Sequence, residues 1–433
     1  MISLGVKAAR MLFIAASSLG LSLAAQTASA QDNGAVHLGV QTCGASTCHG
    51  AIQPWQNSVV LQNEYTVWST HDAHSGAYKA LLSDRAKRMA ARLGIDAAHE
   101  SGTCLQCHTD NVAEDRRGSN FDITAGVGCE SCHGGAENWL GTHVSGLSDR
   151  PTLVSLGMYP TDNPVKRAEL CLGCHQANPD RIVSHRLMSA GHPRLSFELD
   201  TFSVNQPAHV RIDDDYRQRK PVTDGANLWA IGQAIAAQKQ LLALAKSMRG
   251  RNHLFPELTF FECGSCHHSY TNAKWGPQPG VGLGPGEPQL YDANLVMLRA
   301  IANSRDEKLA ATLRNQTRAL HRATRQGATA VARAAETLAG TVDGMTQSLV
   351  QMPLRKDDLR ATLATLVSRE HAADYVDYSA AEQATMAAAA ILESLGRSAP
   401  QQLDPLYAAT ESPTRYSSSG FRSALAKLRD YLK

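Results

Sequence analysis

The chain has 433 residues, a formal net charge of +2 at pH 7 and only 6% aromatic residues. A nearly neutral chain without a clustered basic patch is not typical of a nucleic-acid-binding protein, so we expect no nucleic-acid partner. Because aromatic side chains are scarce, the polypeptide alone would form a thin core for this length, and a large apolar cofactor would help to fill it.

The first thirty residues are typical of a signal peptide. Lys7 and Arg10 form a short positive region, an apolar run follows at 11–25, and a small-residue cleavage site ends at Ala30. We therefore expect export to the periplasm with cleavage near Ala30. An uncleaved N-terminal anchor is the alternative, although the apolar run is short for a membrane span. No later stretch is apolar enough to cross a membrane, so we expect a soluble mature protein.

Three helices are predicted within residues 31–271, which otherwise consist mostly of loops. Ser83–Leu93 is a capped amphipathic helix that Gly94 ends. Asn163 and Pro164 are typical of a second helix start. The stretch 226–248 predicts a longer helix that is apolar on one face.

The C-terminal third differs in composition from the residues before it. A connector at 272–289 is rich in proline and glycine, and no cysteine follows it. Residues 290–433 are rich in alanine, leucine and arginine and predict a helical region. The periodic stretches lie at about 290–303, 305–338, 355–369, 378–396 and 418–432. This region either covers the residues before it or docks a partner, and we favour the covering role because each helix must bury its apolar face.

The ten cysteines form five pairs, and a histidine directly follows each pair. We number these motifs one to five in chain order. Motifs two to five have the spacing C-x-x-C-H: Cys104, Cys107 and His108; Cys129, Cys132 and His133; Cys171, Cys174 and His175; Cys263, Cys266 and His267. This spacing is typical of c-type haem attachment, in which the two thiols bond to the porphyrin and the histidine binds the iron. Four copies argue strongly against zinc or disulfides.

Motif one differs because four residues separate Cys43 from Cys48, and His49 follows. Some c-type cytochromes use this longer loop. A local disulfide or two free thiols are the alternatives. We favour haem attachment because it leaves no cysteine over and keeps the terminal Cys-His. The sequence therefore predicts five haem c groups.

Five proximal histidines leave twelve others, and a low-spin electron-transfer haem usually needs a second strong ligand. The candidates in distinctive contexts near the motifs are His71, His74, His143, His185 and His192. His209, His253 and His268 are intermediate cases. Four further histidines, His37, His99, His321 and His371, are expected to be surface or hydrogen-bonded residues. A methionine such as Met89 is a minority option.

Several stretches resemble multihaem c-type cytochromes related to the tetrahaem cytochrome that accepts electrons from hydroxylamine oxidoreductase. The resemblance lies in motif one followed by Trp68 and Asp72-Ala73-His74, in residues 126–135 with Trp139 and His143, in residues 191–199, and in residues 260–268. It implies an all-α, loop-rich haem core with stacked and edge-on haem pairs. The chain departs from that relative in its fifth motif and its C-terminal helical region.

The resemblance also implies distal ligands. His143 would bind the first haem and His74 the third, while His185 and His192 would serve the fourth and fifth in either order. The second haem, at His108, would lack a distal protein ligand. His71 or His209 are the candidates to close its open side.

Electron transfer between a redox donor protein and an acceptor protein is the function that we favour over an enzymatic one. The alternative is an enzyme that reduces a small nitrogen oxide or peroxide at one five-coordinate haem. The absence of a C-x-x-C-Lys motif weakens the comparison with pentahaem nitrite reductases. A third hypothesis is an assembly subunit whose C-terminal helical region docks a redox enzyme or a membrane quinol-oxidising complex.

Overall fold

The computed structural model describes residues 34–56, 58–146, 148–176, 179–249, 256–268, 280–284 and 286–433. Within these residues the fold is all-α, as expected, and the only extended pairings are two isolated bridges, His37 with Arg117 and Phe261 with Leu290. The predicted signal peptide, His253 and much of the connector 272–289 lie outside the described residues.

The first thirteen α-helices are mostly short, because loops rich in glycine and turn residues interrupt them. They are α1 Val40–Cys43, α2 Glu64–His71, α3 Ala77–Leu81, α4 Asp84–Leu93, α5 Gly102–His108, α6 Cys129–His133, α7 Leu140–Val144, α8 Arg150–Ser155, α9 Pro164–His175, α10 His185–Ala190, α11 Leu199–Asn205, α12 Asp214–Arg219 and α13 Gly225–Met248. Short 3-10 helices occur at Ala73–Gly76, Glu114–Arg116, Ile123–Ala125, Leu258–Phe260, Cys263–Ser265 and His371–Asp374.

The predicted helix boundaries in this part are confirmed where capping residues mark them. The Ser83 side chain accepts from the Ala86 N–H at the start of α4, and Gly94 ends that helix with φ 69°. Asn163 accepts two backbone N–H groups at the start of α9, directly before Pro164. Local capping chemistry was thus enough to place both helices.

Seven longer helices form the C-terminal region: α14 Ala293–Asn303, α15 Glu307–Ala323, α16 Ala328–Gln351, α17 Lys356–Leu366, α18 Tyr378–Ser394, α19 Pro400–Ala409 and α20 Ser418–Leu432. The continuous stretch predicted at 305–338 is in fact two helices, because the chain turns before α16 at Gly327, where φ is 96°. Helix α19 was not predicted, since its prolines at 400 and 405 obscure the helical pattern.

Helix α13 is the centre of the main apolar core. It packs against α9 and α11, which precede it in the chain, and against α14, α16 and α18, which follow it. The C-terminal half of α13 buries one face, as predicted, whereas its N-terminal half is buried all round and Trp229 has no exposed surface. One continuous core therefore runs from Ala168 in α9 to Leu428 in α20.

The residues before α9 have much smaller apolar clusters. One contains Leu81, Ala86, Ala90 and Ala98, and another contains Ala136, Trp139, Leu153 and Met158. A segment of this length needs more buried apolar surface than these clusters supply. Among the described residues, no helix has the length and apolar character needed to cross a membrane.

Candidate haem sites

The helices place the cysteines of motifs two, three and four for attachment to one group. Helices α5 and α9 end at the motif histidine, and α6 consists of the motif alone. In a helix, residues i and i+3 lie on the same face, so both thiols of each motif point to the same side. No disulfide joins any of the ten cysteines, all of which lie in described residues. The ten thiols are therefore available for bonds to a porphyrin.

Motif one forms a compact turn despite its longer spacing. The Cys48 N–H donates to the Ala45 carbonyl (2.8 Å), and the His49 N–H donates to the Cys43 carbonyl (3.2 Å). A Cβ atom on Gly50 would lie 2.0 Å from the Gly44 oxygen, so the turn requires glycine there. In the structure Cys43 and Cys48 are both free thiols.

Four of the five motif histidines face a second imidazole ring. The ring centres are 6.0 Å apart for His49 and His143, 6.5 Å for His108 and His192, 5.9 Å for His175 and His74, and 6.1 Å for His267 and His185. An iron bound by imidazole on both sides holds the ring centres about 6 Å apart, since each metal–nitrogen bond is about 2 Å long. These four pairs therefore fit an iron placed between the two rings.

The observed pairs differ in part from those that the resemblance implied. His143 faces motif one, as implied, and His185 faces motif five. His74 faces His175 of motif four instead of His133 of motif three. A hydrogen bond from the His74 ring to Asp72 orients the imidazole toward the end of α9.

The motif whose histidine has no second imidazole ring opposite it also differs from the one that the resemblance implied. His192 faces His108, so motif two has an opposing ring. Among the described residues, no histidine ring is found in this arrangement opposite His133. The His133 side chain keeps exposed surface, and desolvation by the surrounding protein atoms and then Arg150 lower its pKa to about 4. A neutral imidazole is the form that binds a metal.

Neither His71 nor His209 closes the side opposite His108. His71 is exposed at the end of α2. His209 lies on the loop before α12, and its Nε2 is 3.6 Å from an Asp72 oxygen. It is also close enough to His133 to contribute to the lowered pKa of that ring. His209 therefore belongs to the surroundings of motifs three and four.

Two of the facing histidines donate to carboxylates through the ring nitrogen that remains available when Nε2 binds iron. His49 Nδ1 is 2.8 Å from Glu64, and His74 Nδ1 is 2.8 Å from Asp72. Burial alone would raise the pKa of Asp72, but its hydrogen bonds with His74 and Gln206 outweigh burial and hold the pKa well below its usual range. Glu64 was not predicted, because 15 residues separate it from His49 and nothing in the sequence pairs them.

Cysteines of different motifs also lie next to each other. The Cys43 thiol lies close enough to Cys129 for each to shift the pKa of the other, and Cys107 and Cys174 are related in the same way. Arg181 lies beside the second pair, with Nη1 3.7 Å from the Cys174 sulfur and 3.1 Å from the Gln106 carbonyl oxygen. Motif one thus adjoins motif three, and motif two adjoins motif four. Porphyrins attached to adjoining motifs would lie close to each other.

A buried polar cluster joins the segment before motif one, the segment after motif two and motif three itself. His37 has no exposed surface, and its Nδ1 is 2.8 Å from Asp110, two residues after motif two. Glu130, inside motif three, lies next to this pair and accepts the backbone N–H groups of Leu38, Gly39 and Ala136. His37 was expected to be either a surface residue or a hydrogen-bonded one, and the structure shows that it is buried and hydrogen-bonded.

One comparison with known proteins gave a match. Residues 42–134, which contain motifs one to three, match the family described as cytochrome c554 and c-prime. Comparisons with curated proteins and with solved structures gave no match. The matched part is a minority of the chain, but it includes the cysteine pairs of motifs one and three, which adjoin each other. This similarity supports a c-type multihaem cytochrome that binds haem c and takes part in electron transport.

Proposed function

We propose that the chain is a periplasmic pentahaem c-type cytochrome that transfers electrons between a redox donor protein and an acceptor protein. The observation that carries this proposal is the set of four facing histidine pairs, each with one member in a Cys-His motif. Two imidazole ligands produce a low-spin iron without an open position, which suits electron transfer and disfavours ligand exchange. The family match supports the same role for residues 42–134.

The contacts between motifs support a continuous path for electrons. Motif one adjoins motif three, and motif two adjoins motif four. Cys132 of motif three lies within electrostatic reach of Cys171 and Cys174 of motif four. The path therefore runs through motifs one, three, four and two.

Motif five joins this path through α10. His185 is the first residue of α10 and faces motif five, while His192 lies two residues after the end of the helix and faces motif two. The six residues of α10 span about 9 Å at 1.5 Å per residue, and His192 lies two residues further on, so the two haems would be neighbours. The complete order is one, three, four, two and five.

Haem content and electron capacity test this proposal. We expect five covalently bound haems per chain and five electrons taken up in a reductive titration. The double variant Cys43→Ala/Cys48→Ala should bind four haems and lose about a fifth of the Soret absorbance. Wild-type protein with four haems would contradict the role of motif one, and haems that do not reduce reversibly would contradict electron transfer.

A second candidate function is reduction of a small molecule at motif three. It is favoured by one observation, that no ring faces His133 within the described residues, while Arg150 and Lys220 lie close enough to affect the pKa of this histidine. Hydrogen peroxide would take two electrons and two protons and give two water molecules. Two nitric oxide molecules would take two electrons and two protons and give nitrous oxide and water. The other four haems would supply the electrons.

The EPR spectrum of the oxidised protein separates the two candidates. A five-coordinate haem at motif three gives a high-spin signal equal to about one fifth of the haem, and cyanide converts it to low-spin. A spectrum with only low-spin signals would rule out the enzymatic candidate and leave the carrier in place.

A further inference from the structure

The hydrogen-bond acceptors behind the facing histidines differ from motif to motif. At motifs one and four the acceptor is a carboxylate, from Glu64 and Asp72 respectively. At motif two, both rings donate to neutral backbone oxygens. His108 Nδ1 is 2.9 Å from the Ala77 oxygen, and His192 Nδ1 is 2.8 Å from the Pro193 oxygen.

Asp72 is held rigidly against its histidine. Its side chain is 4% exposed, and one carboxylate oxygen accepts both the ring Nδ1–H and the backbone N–H of His74. The other oxygen accepts from Gln206 Nε2 at 3.0 Å. These three hydrogen bonds hold the carboxylate against the His74 ring.

A carboxylate acceptor changes the ligand more than a carbonyl does. It draws the Nδ1 proton toward itself and makes the other ring nitrogen a stronger donor to the metal. A stronger donor stabilises ferric iron over ferrous iron, so the reduction potential falls. With the same pair of ligand types at each iron, this difference ranks the sites.

The surroundings of His192 act in the opposite direction. Arg85 donates twice to the Gly191 oxygen, and Arg92 donates to the Ala190 oxygen, both directly before His192. Cations beside a haem favour the ferrous form, because it carries one positive charge fewer. Arg181 lies between motifs two and four and affects both, so it does not reverse their order.

We propose that Glu64 and Asp72 are positioning residues that lower the reduction potentials of the haems at motifs one and four below that of the haem at motif two. The inference rests on the proposed electron-transfer function, since it requires haems at these motifs. A ferrous haem at motif four gives one electron to a ferric haem at motif two, and this step is downhill. Electrons that enter at motif one therefore collect at motif two, next to motif five.

Asp72→Asn and Glu64→Gln test the proposal, because each keeps an oxygen that accepts from the ring and removes the charge. Spectroelectrochemical titration of the purified holoprotein is the readout. We expect one of the five one-electron components to shift to higher potential in each variant, and a different one in Glu64→Gln from that in Asp72→Asn. Low-spin EPR signals should persist, which shows that the histidine still binds.

Asp110→Asn is the matched control. Asp110 is also buried and also accepts from a histidine Nδ1, but its partner, His37, is not a candidate iron ligand. We expect a clearly smaller shift in this variant. Equal shifts in Asp110→Asn and Asp72→Asn would overturn the proposal, because loss of any buried charge would then explain both. Unchanged potentials in Asp72→Asn and Glu64→Gln would also overturn it.

Wild-type measurements separate failure of this inference from failure of the proposed function. If the wild-type protein binds five haems that reduce reversibly, the function stands whatever the variants do. If Asp72→Asn fails to retain its haem, Glu64→Gln and the control carry the test, because Glu64 lies at the opposite end of α2 and contacts motif one.

Discussion

Glu130 provides a quantitative test of how motif three is attached to the N-terminal segment. Its side chain is 3% exposed and accepts three backbone N–H groups. One oxygen accepts from Leu38 and Ala136, both at 2.8 Å, and the other accepts from Gly39 at 2.7 Å. A hydrogen bond to a charged group contributes about 1.5–3 kcal/mol, and leaving a buried donor without a partner costs about 1–3 kcal/mol.

Glu130→Gln should lower the free energy of unfolding by about 2 kcal/mol, because the new amide group turns a donor toward one N–H that needs an acceptor. Glu130→Ala removes all three acceptors and should cost about 5 kcal/mol, a large part of the stability of a typical domain. The haem content should stay the same, since the flanking cysteines are unchanged.

Denaturant unfolding followed at the Soret band measures these free energies, and amide hydrogen exchange locates the effect. Exchange should accelerate at residues 38, 39 and 136. Glu137→Gln is the control, because Glu137 accepts one N–H, from Val36, at an exposed site and should change stability by less than about 0.5 kcal/mol. If Glu130→Gln were as stable as this control, the three hydrogen bonds of Glu130 would contribute less to the free energy of unfolding than about 1.5–3 kcal/mol each.

Two further substitutions test the site and the core. His192→Ala should convert one low-spin haem to high-spin, visible by EPR as about one fifth of the haem, because His192 faces His108. The control His209→Ala removes a histidine that faces no motif ring and should leave the number of low-spin haems unchanged. The opposite pattern would show that the pairing at motif two is wrong. Trp229→Ala should lower the free energy of unfolding by about 3–5 kcal/mol, because this side chain of α13 is completely buried. Thermal unfolding measures the change. A loss below about 1 kcal/mol would mean that α13 is not the centre of the core.

Local signals in the sequence were enough for much of the fold. Ser83, Asn163 and Pro164 mark helix starts through hydrogen bonds with residues two or three positions away. The break before α16 and the helix at 400–409 were missed, because a single glycine and two prolines have several structural meanings. Only the tertiary packing decides between these meanings.

The histidine pairs were less accessible to sequence reasoning. The motif spacing identifies a proximal histidine because the chemistry is confined to five residues. A distal histidine is placed by tertiary structure, and His74 faces a histidine 101 positions away in α9. The choice between His133 and His175 depended on how Asp72 orients the ring, which no spacing encodes.

Helix α9 explains how a segment with little apolar core of its own can hold haems at fixed separations. Ala168 and Leu172 of α9 are buried in the main core against α13, while the same helix ends in motif four. Motif four is therefore anchored to the largest rigid part of the molecule. Cys107 of motif two lies beside Cys174 of motif four, and Cys132 of motif three lies within electrostatic reach of Cys171 and Cys174. In the proposed path motif four lies in the middle, so anchoring it fixes the distances on both sides, and electron transfer depends steeply on those distances. The C-terminal helices α14, α16 and α18 pack on α13, which packs on α9, so they hold the helix that ends in motif four in place.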